Sequence, residues 1–406
     1  MNDINTAMPL SSNSSLNALY PILRRAGLVQ VLSIQELSGG LSNHNYKIIT
    51  PTASYVLRVN TGAASRFCNR EQECFYWQQL ADIKLAPQLL WVSEDNRYYL
   101  SEFIESDNVI YWPALECQTR AADFVQGQFV LGQAGLRQSK LDSLFPSVSS
   151  HSSDDSDLHN SGLHNSGLHN SGLHHSDADS QALLGPTKIS KHPNQAHDLL
   201  LALLLQLRSL PTGPYHISVT AQWQSYHQQM LVYQASAALK NRATLSQHDE
   251  VTDKPIHTCE WNERVAKLLG IQMDIKNWSN CLAACLIKPQ FCHRDLNPHN
   301  LLFKNNHLYC IDFEYASASH PLCELAVVLA THRLTPAQQT LLVDGYLKQH
   351  PNVTADAVQA VPAAIDMYWV FACYWALLMA GQAQSSHNID YLAWFDRFWP
   401  LITPNN

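Results

Sequence analysis

The sequence predicts an α+β chain of two lobes, a small five-stranded antiparallel β lobe with one helix and a large, mainly α lobe behind it. Three observations predict this. The first hundred residues read as short strands around a glycine-rich turn, SGGLSN at 38–43. From about residue 118 the pattern turns helical. Within that helical half stand a proline-stopped loop and an apolar hairpin, FCHRDLNPHNLLF at 291–303 and YCIDFEYA at 309–316. The expected organisation is an N-terminal segment over 1–30 with a partly disordered start, a first lobe over 31–105 and a second over 106–406.

VLSIQEL (31–37) and NYKIIT (45–50) flank the glycine turn as two strands, and SYVLRVN (54–60) makes a third. NREQECFYWQQLAD (69–82) reads as a helix, with acids at its start and Cys74, Trp77 and Gln78 near one face. PQLLWV (87–92) and RYYLSEFIE (97–105) add two strands. LHNSG then repeats three times, at 158–162, 163–167 and 168–172. Such a tract buries too little apolar surface to offset its ordering entropy, so 140–190 is expected to be a disordered insertion. Its spaced histidines suit a transition metal as a lesser alternative. Helices follow at 196–211, 222–240, 260–270, 277–287, 322–332, 335–349, 354–381 (broken by Pro362) and 389–400.

Of 406 residues, 46% are hydrophobic, enough for a sizeable core, and the formal net charge is −8. No basic run suggests nucleic acid or an anionic membrane surface. The start, MNDINTAMPLSSNSS, has neither the charged nor the apolar region of a signal peptide. LLLALLLQL (199–207) and VFACYWALLMAG (370–381) fall short of the roughly 20 apolar residues a membrane span needs, and read as buried helices. The ten cysteines include no CxxC and read as buried thiols of a reducing cytoplasm, with zinc on Cys281 and Cys285 the lesser alternative.

The stretch 291–316 carries the chemistry. Phosphoryl transfer needs a carboxylate near the acceptor hydroxyl and oxygen ligands for Mg²⁺. Asp295 and Asn300 are five residues apart, with Pro298 preventing a helix, so one loop can turn both side chains to one phosphate. LLF (301–303) and LYCID (308–312) form a hairpin that brings Asp312 back to the same site. Asp295 is thus the candidate base, and Asn300 and Asp312 are the candidate metal ligands. His293 packs beneath the loop and bonds its backbone. Ser38, Gly39, Gly40, Ser42 and Asn43 would bring backbone N–H groups to the phosphates of ATP. Arg58 puts a cation among inward-facing apolar residues and needs an acidic partner, with Glu73 favoured over Glu71. Glu102, Phe103 and Ile104 would be the hinge that holds the adenine.

LSGGLSN, YVLRVN, ECFYWQQLAD, HRDLNPHN and IDFEYA together resemble the choline/ethanolamine kinase family. That family lies within the aminoglycoside phosphotransferase-like group, which also holds bacterial thiamine kinases. The resemblance covers about 31–112 and 196–385 and implies a bilobal protein-kinase-like fold, with ATP and Mg²⁺ as cofactors. It implies Asp295 as base, Asn300 and Asp312 on Mg²⁺, Arg58 on the phosphates and Glu73 orienting Arg58. Two departures separate the chain from protein kinases. Asn297 stands where they carry a lysine, and DFE replaces DFG with no activation loop before the next helix.

The acceptor is expected to be a small cationic alcohol, choline or ethanolamine, or else thiamine, with an aminoglycoside or sugar as the alternative. Tyr368, Trp369 and Trp375 offer aromatic faces to a cation, and Glu314 and Glu324 offer charge. Trp369 and Trp375, six residues apart at about 100° per residue, fall on nearly opposite faces, so only one lines a pocket. Aromatics on so apolar a helix also suit a core.

Overall fold

The computed structural model describes residues 16–37, 43–61, 68–106, 196–245, 258–382 and 391–404. Ser38, Gly39, Gly40 and Ser42 lie outside them, as does the LHNSG tract with the expected insertion at 140–190. A short helix α1 (Tyr20–Arg25) precedes five strands: β1 (Ser33–Leu37), β2 (Asn43–Ile49), β3 (Ser54–Asn60), β4 (Leu89–Val92) and β5 (Tyr98–Glu102). They form one antiparallel sheet in the order β1-β2-β3-β5-β4. Leu23, Ile48, Leu57 and Leu100 close a small core on the α1 side.

Helix α2 (Arg70–Asp82) sits between β3 and β4. The Asn69 side chain caps it, accepting from the N–H groups of Glu71 and Gln72 at 3.1 and 3.2 Å. The buried stripe is Arg70, Glu73, Tyr76, Trp77, Leu80 and Ala81, whereas Gln78 is exposed. The face expected around Gln78 is thus rotated by about one residue. The cause is tertiary, because α2 belongs to the core of the second lobe rather than to the small one. Trp77 packs on Phe313, with ring centroids 5.4 Å apart. The Tyr76 hydroxyl lies 2.5 Å from the Thr212 carbonyl and 3.0 Å from that of Tyr215.

Gly213 makes that docking possible. Its φ is +67°, and a Cβ there would lie 2.6 Å from the Phe75 ring and 3.0 Å from the Tyr76 hydroxyl. Gly213→Ala would meet both a left-handed backbone and a clash. It is expected to cost about 1–3 kcal/mol, read as a lower urea midpoint with an unchanged slope.

The second lobe runs α3 (Ala196–Arg208), α4 (Val219–Leu245), α5 (Thr258–Gly270), α6 (Gln272–Cys285), β6 (Gln290–Cys292), β7 (Leu301–Lys304), β8 (His307–Cys310), β9 (Ser317–Ser319), α7 (Pro321–Thr331), α8 (Pro336–Leu347), α9 (Ala357–Gln382) and α10 (Tyr391–Phe398). β7 and β8 form the expected hairpin, and β6 pairs with β9. α9 is one helix of 26 residues that carries Pro362 within it, where a break was expected. Its neighbours α6, α7 and α10 hold it in line, so packing outweighs the hydrogen bond that the proline removes. Residues 357–381 are long and apolar enough to cross a membrane, but 67% of the apolar 18-residue window within them is buried in the fold, as in a core helix.

Candidate active site

The loop after β6 places Asp295. Arg294 turns it at a φ of +69°, with its N–H donating to Glu324 Oε2 at 3.1 Å. His293 is fully buried and its Nε2 lies 3.1 Å from the Ile311 carbonyl. Burial lowers its pKa to about 4, so it serves as a neutral prop. His332, at the end of α7, props the other side, with Nε2 2.8 Å from the Leu296 carbonyl.

Two amides aim the Asp295 carboxylate. Asn297 Nδ2 donates to Oδ1 at 2.9 Å, and Asn300 Nδ2 donates to Oδ2 at 2.8 Å and to the Asp295 carbonyl at 3.0 Å. The residue at the protein-kinase lysine position is therefore a hydrogen-bond donor to Asp295. Burial raises the Asp295 pKa to about 6, Glu314 adds to the rise, and the two amides oppose it.

Asp312 follows β8 at a φ of +67°. The Ile311 N–H donates to the Asn300 carbonyl at 3.0 Å, which ties the hairpin to the loop. A third of the Asp312 side chain stays exposed, 3.4 Å from Arg58 Nη1. Burial raises its pKa against the pull of Arg58, with Glu314 and Asp295 adding to the rise. The donor set suits a hard divalent cation: the Asp312 carboxylate and the amide oxygen that Asn300 keeps free of Asp295.

Arg58 closes the site from the first lobe. Its Nη1 lies 2.9 Å from Glu73 Oε1, and its Nη2 lies 2.5 Å from Glu314 Oε1. Burial disfavours the cation, but Glu73, Asp312 and Glu314 outweigh it and push its pKa up. Arg70, a residue that the sequence reading passed over, lies 2.7 Å from Glu73 and 3.0 Å from Glu314. Asn43 adds a third donor to Glu314 Oε1 at 2.7 Å. Cys68, Glu73 and Glu314 approach closely enough to share an ion, yet the two guanidiniums already balance that cluster. Among the described residues, Cys281 and Cys285 belong to no metal-ligand group.

Several expected substrate and nucleotide contacts need correction. Glu314 is held by Arg58, Arg70 and Asn43, so it is no free charge for an acceptor. Glu324 is fully buried and accepts from the Arg294 N–H of the loop after β6. Trp369 is 2% exposed and stacks on Phe398, and Trp375 meets Tyr391 edge-on. The Asn43 side chain donates to Glu314 and accepts from the Thr61 N–H at 3.2 Å, which leaves only its backbone for the expected phosphate contact.

Tyr368, by contrast, is near Asp295, whose charge joins burial in raising the phenol's pKa. Tyr226 of α4 and Tyr315 feel the same carboxylate after their own burial. Sequence alone could not bring Tyr226, Tyr315 and Tyr368 to one place. At the hinge, Glu102 N–H donates to the Gln88 carbonyl at 2.9 Å and Phe103 N–H to the Ser54 carbonyl at 3.3 Å, while Ile104 is buried.

Residues 179–357, which span this loop, the hairpin and α7, match the APH model, described as the phosphotransferase enzyme family. The match covers 179 of the 406 residues of the chain. Protein LicA of Haemophilus influenzae is 33% identical over 58 residues, 14% of this chain. The match spans 22% of that relative's length. Among solved structures, the choline kinase LicA from Streptococcus pneumoniae superposes with a TM-score of 0.51 at 14% identity, covering 96% of this chain and 99% of that one. A choline/ethanolamine kinase family protein from Mesorhizobium loti gives 0.52 at 14% identity, covering 95% and 93%. At such identity these likenesses speak for the fold. This chain thus has its α+β, bilobal architecture in common with them.

Proposed function

We propose that this protein is an ATP- and Mg²⁺-dependent kinase of a small alcohol, with the first lobe over 31–105 holding the nucleotide. The observation that carries the reading is Asp295, a half-buried carboxylate aimed by two amides, with Asp312, the partner of Arg58, within its electrostatic reach. Asp295 would orient the acceptor hydroxyl and take its proton. Arg58, held by Glu73, would contact the phosphates. The backbone of Glu102, Phe103 and Ile104 would receive the adenine, and the turn at Ser38, Gly39, Gly40 and Ser42 would cover the phosphates. Asn300 and Asp312 would hold Mg²⁺, which offsets charge on the phosphates.

For the acceptor, Tyr226, Tyr315 and Tyr368 support a cationic alcohol, because aromatic rings within electrostatic reach of a carboxylate favour a quaternary or primary ammonium. Choline or ethanolamine is the first reading, and thiamine the second. We place the enzyme in a reducing cytoplasm, where its nine described cysteines stay free thiols. An ADP-release screen with choline, ethanolamine, thiamine, aminoglycosides and amino sugars tests the proposal. Turnover with a cationic alcohol is expected, and activity confined to aminoglycosides or amino sugars would replace the acceptor reading.

The raised pKa of Asp295 sets the pH dependence. The base form is present above the folded value of about 6 and is lost as pH falls through it. The expected kcat/KM profile is level above about pH 7 and declines roughly tenfold per unit below about pH 5. A profile that stays level down to pH 4 would remove Asp295 as the base.

A further inference from the structure

Arg70 is a cation at an unfavourable end of a helix. It opens α2, where the dipole favours negative charge, and it is only 8% exposed. A single nitrogen, Nη1, lies 2.7 Å from Glu73 Oε2 and 3.0 Å from Glu314 Oε1. Those two carboxylates are the partners of Arg58. They come from different lobes, Glu73 from α2 and Glu314 from the segment behind Asp312.

Charge balance gives this bridge a purpose. Glu73, Asp312 and Glu314 all act on Arg58. Three carboxylates around Arg58 alone leave two negative charges, which a bound divalent cation would only neutralise. With Arg70 in the set one negative charge remains, so the site with its divalent cation is one unit more positive than it would be without Arg70. A polyanionic triphosphate is favoured by that difference. In a buried cluster a unit charge a few ångströms away is weakly screened, so this difference is felt at the phosphates.

We propose that Arg70 is a positioning residue for nucleotide binding. It draws Glu73 and Glu314 together across the lobes, so that Arg58 is held in place with positive charge left for the phosphates. The proposal rests on the phosphotransferase reading above. Glu314 accordingly stands where protein kinases have glycine because it is the counter-charge of two arginines.

The test compares wild type with Arg70→Met, Arg70→Lys and the double variant Arg70→Met/Glu314→Gln. Mg·ADP affinity is read by titration calorimetry and folding by thermal unfolding without nucleotide. Arg70→Met is expected to weaken Mg·ADP at least about tenfold and to raise KM for ATP more than it lowers kcat. Because one nitrogen makes both contacts, Arg70→Lys is expected to recover most of the affinity. The double variant removes one charge of each sign and is expected to bind Mg·ADP more tightly than Arg70→Met. Folded Arg70→Met that binds Mg·ADP like wild type would overturn the proposal, whatever its unfolding temperature. A double variant no tighter than Arg70→Met would overturn it as well. Wild type that binds no Mg·ADP would instead overturn the phosphotransferase reading, and the role of Arg70 with it.

Discussion

Asp295→Asn is expected to lower turnover by at least about a hundredfold while Mg·ADP affinity stays within a fewfold of wild type. General-base catalysis contributes about 10²–10⁴ in rate, and the amide that replaces the carboxylate cannot take the proton. Asn297 and Asn300 bond to Asp295 itself, whereas Arg58 and Asp312 pair with each other, so the substitution leaves that pair in place. Two effects on stability oppose each other. Burial raises the pKa of Asp295 to about 6, so asparagine removes a charge that the fold disfavours at neutral pH. It also offers only one acceptor oxygen to the two amide donors, so Tm is expected to stay within a few degrees of wild type. Single-turnover kinetics and a thermal melt check the two halves. Asp295→Asn that turns over like wild type would end the assignment of the base.

Asp312→Asn should produce the second large effect, of a different kind. Mg·ADP affinity is expected to fall at least about a hundredfold, and the dependence of nucleotide binding on Mg²⁺ is expected to disappear. Asparagine tolerates the positive φ of this position, so the backbone need not move. The Asp312 pKa is also raised by burial, and losing the charge should leave the unliganded protein at least as stable. Calorimetry with ADP, with and without Mg²⁺, separates the outcomes. Unchanged affinity in both would rule out Asp312 as a metal ligand. Together the two variants divide the site, turnover depending on Asp295 and the metal-bound nucleotide on Asp312.

Local pattern carried much of this architecture. The bounds of β3 agree with the strand read at 54–60, and the hairpin at 301–310 follows from two apolar runs around KNNH. Arg58 with Glu73 was legible because a buried cation demands a nearby anion, and one acidic helix start follows that strand. The rotated face of α2 was not legible. Its apolar residues fit two neighbouring stripes, and only contact with Phe313 and the Thr212–Tyr215 segment selects between them. Pro362 misled in the same way, since its cost is local and the packing that holds α9 straight is not.

The sequence by itself determined the two-lobe plan and the loop-and-hairpin at 291–316, because Asp295, Asn300 and Asp312 lie within 18 consecutive residues and their spacing limits how they can meet. Only the tertiary structure decided which charges neutralise one another. Arg58 and Glu314 are 256 residues apart, and Arg70 and Glu314 are 244 apart. Nothing local distinguishes such a glutamate from one that greets a cationic substrate. Burial requires each charge to find a partner, but which partner it finds depends on how the lobes close. In this chain the closure gives Glu314 to two arginines.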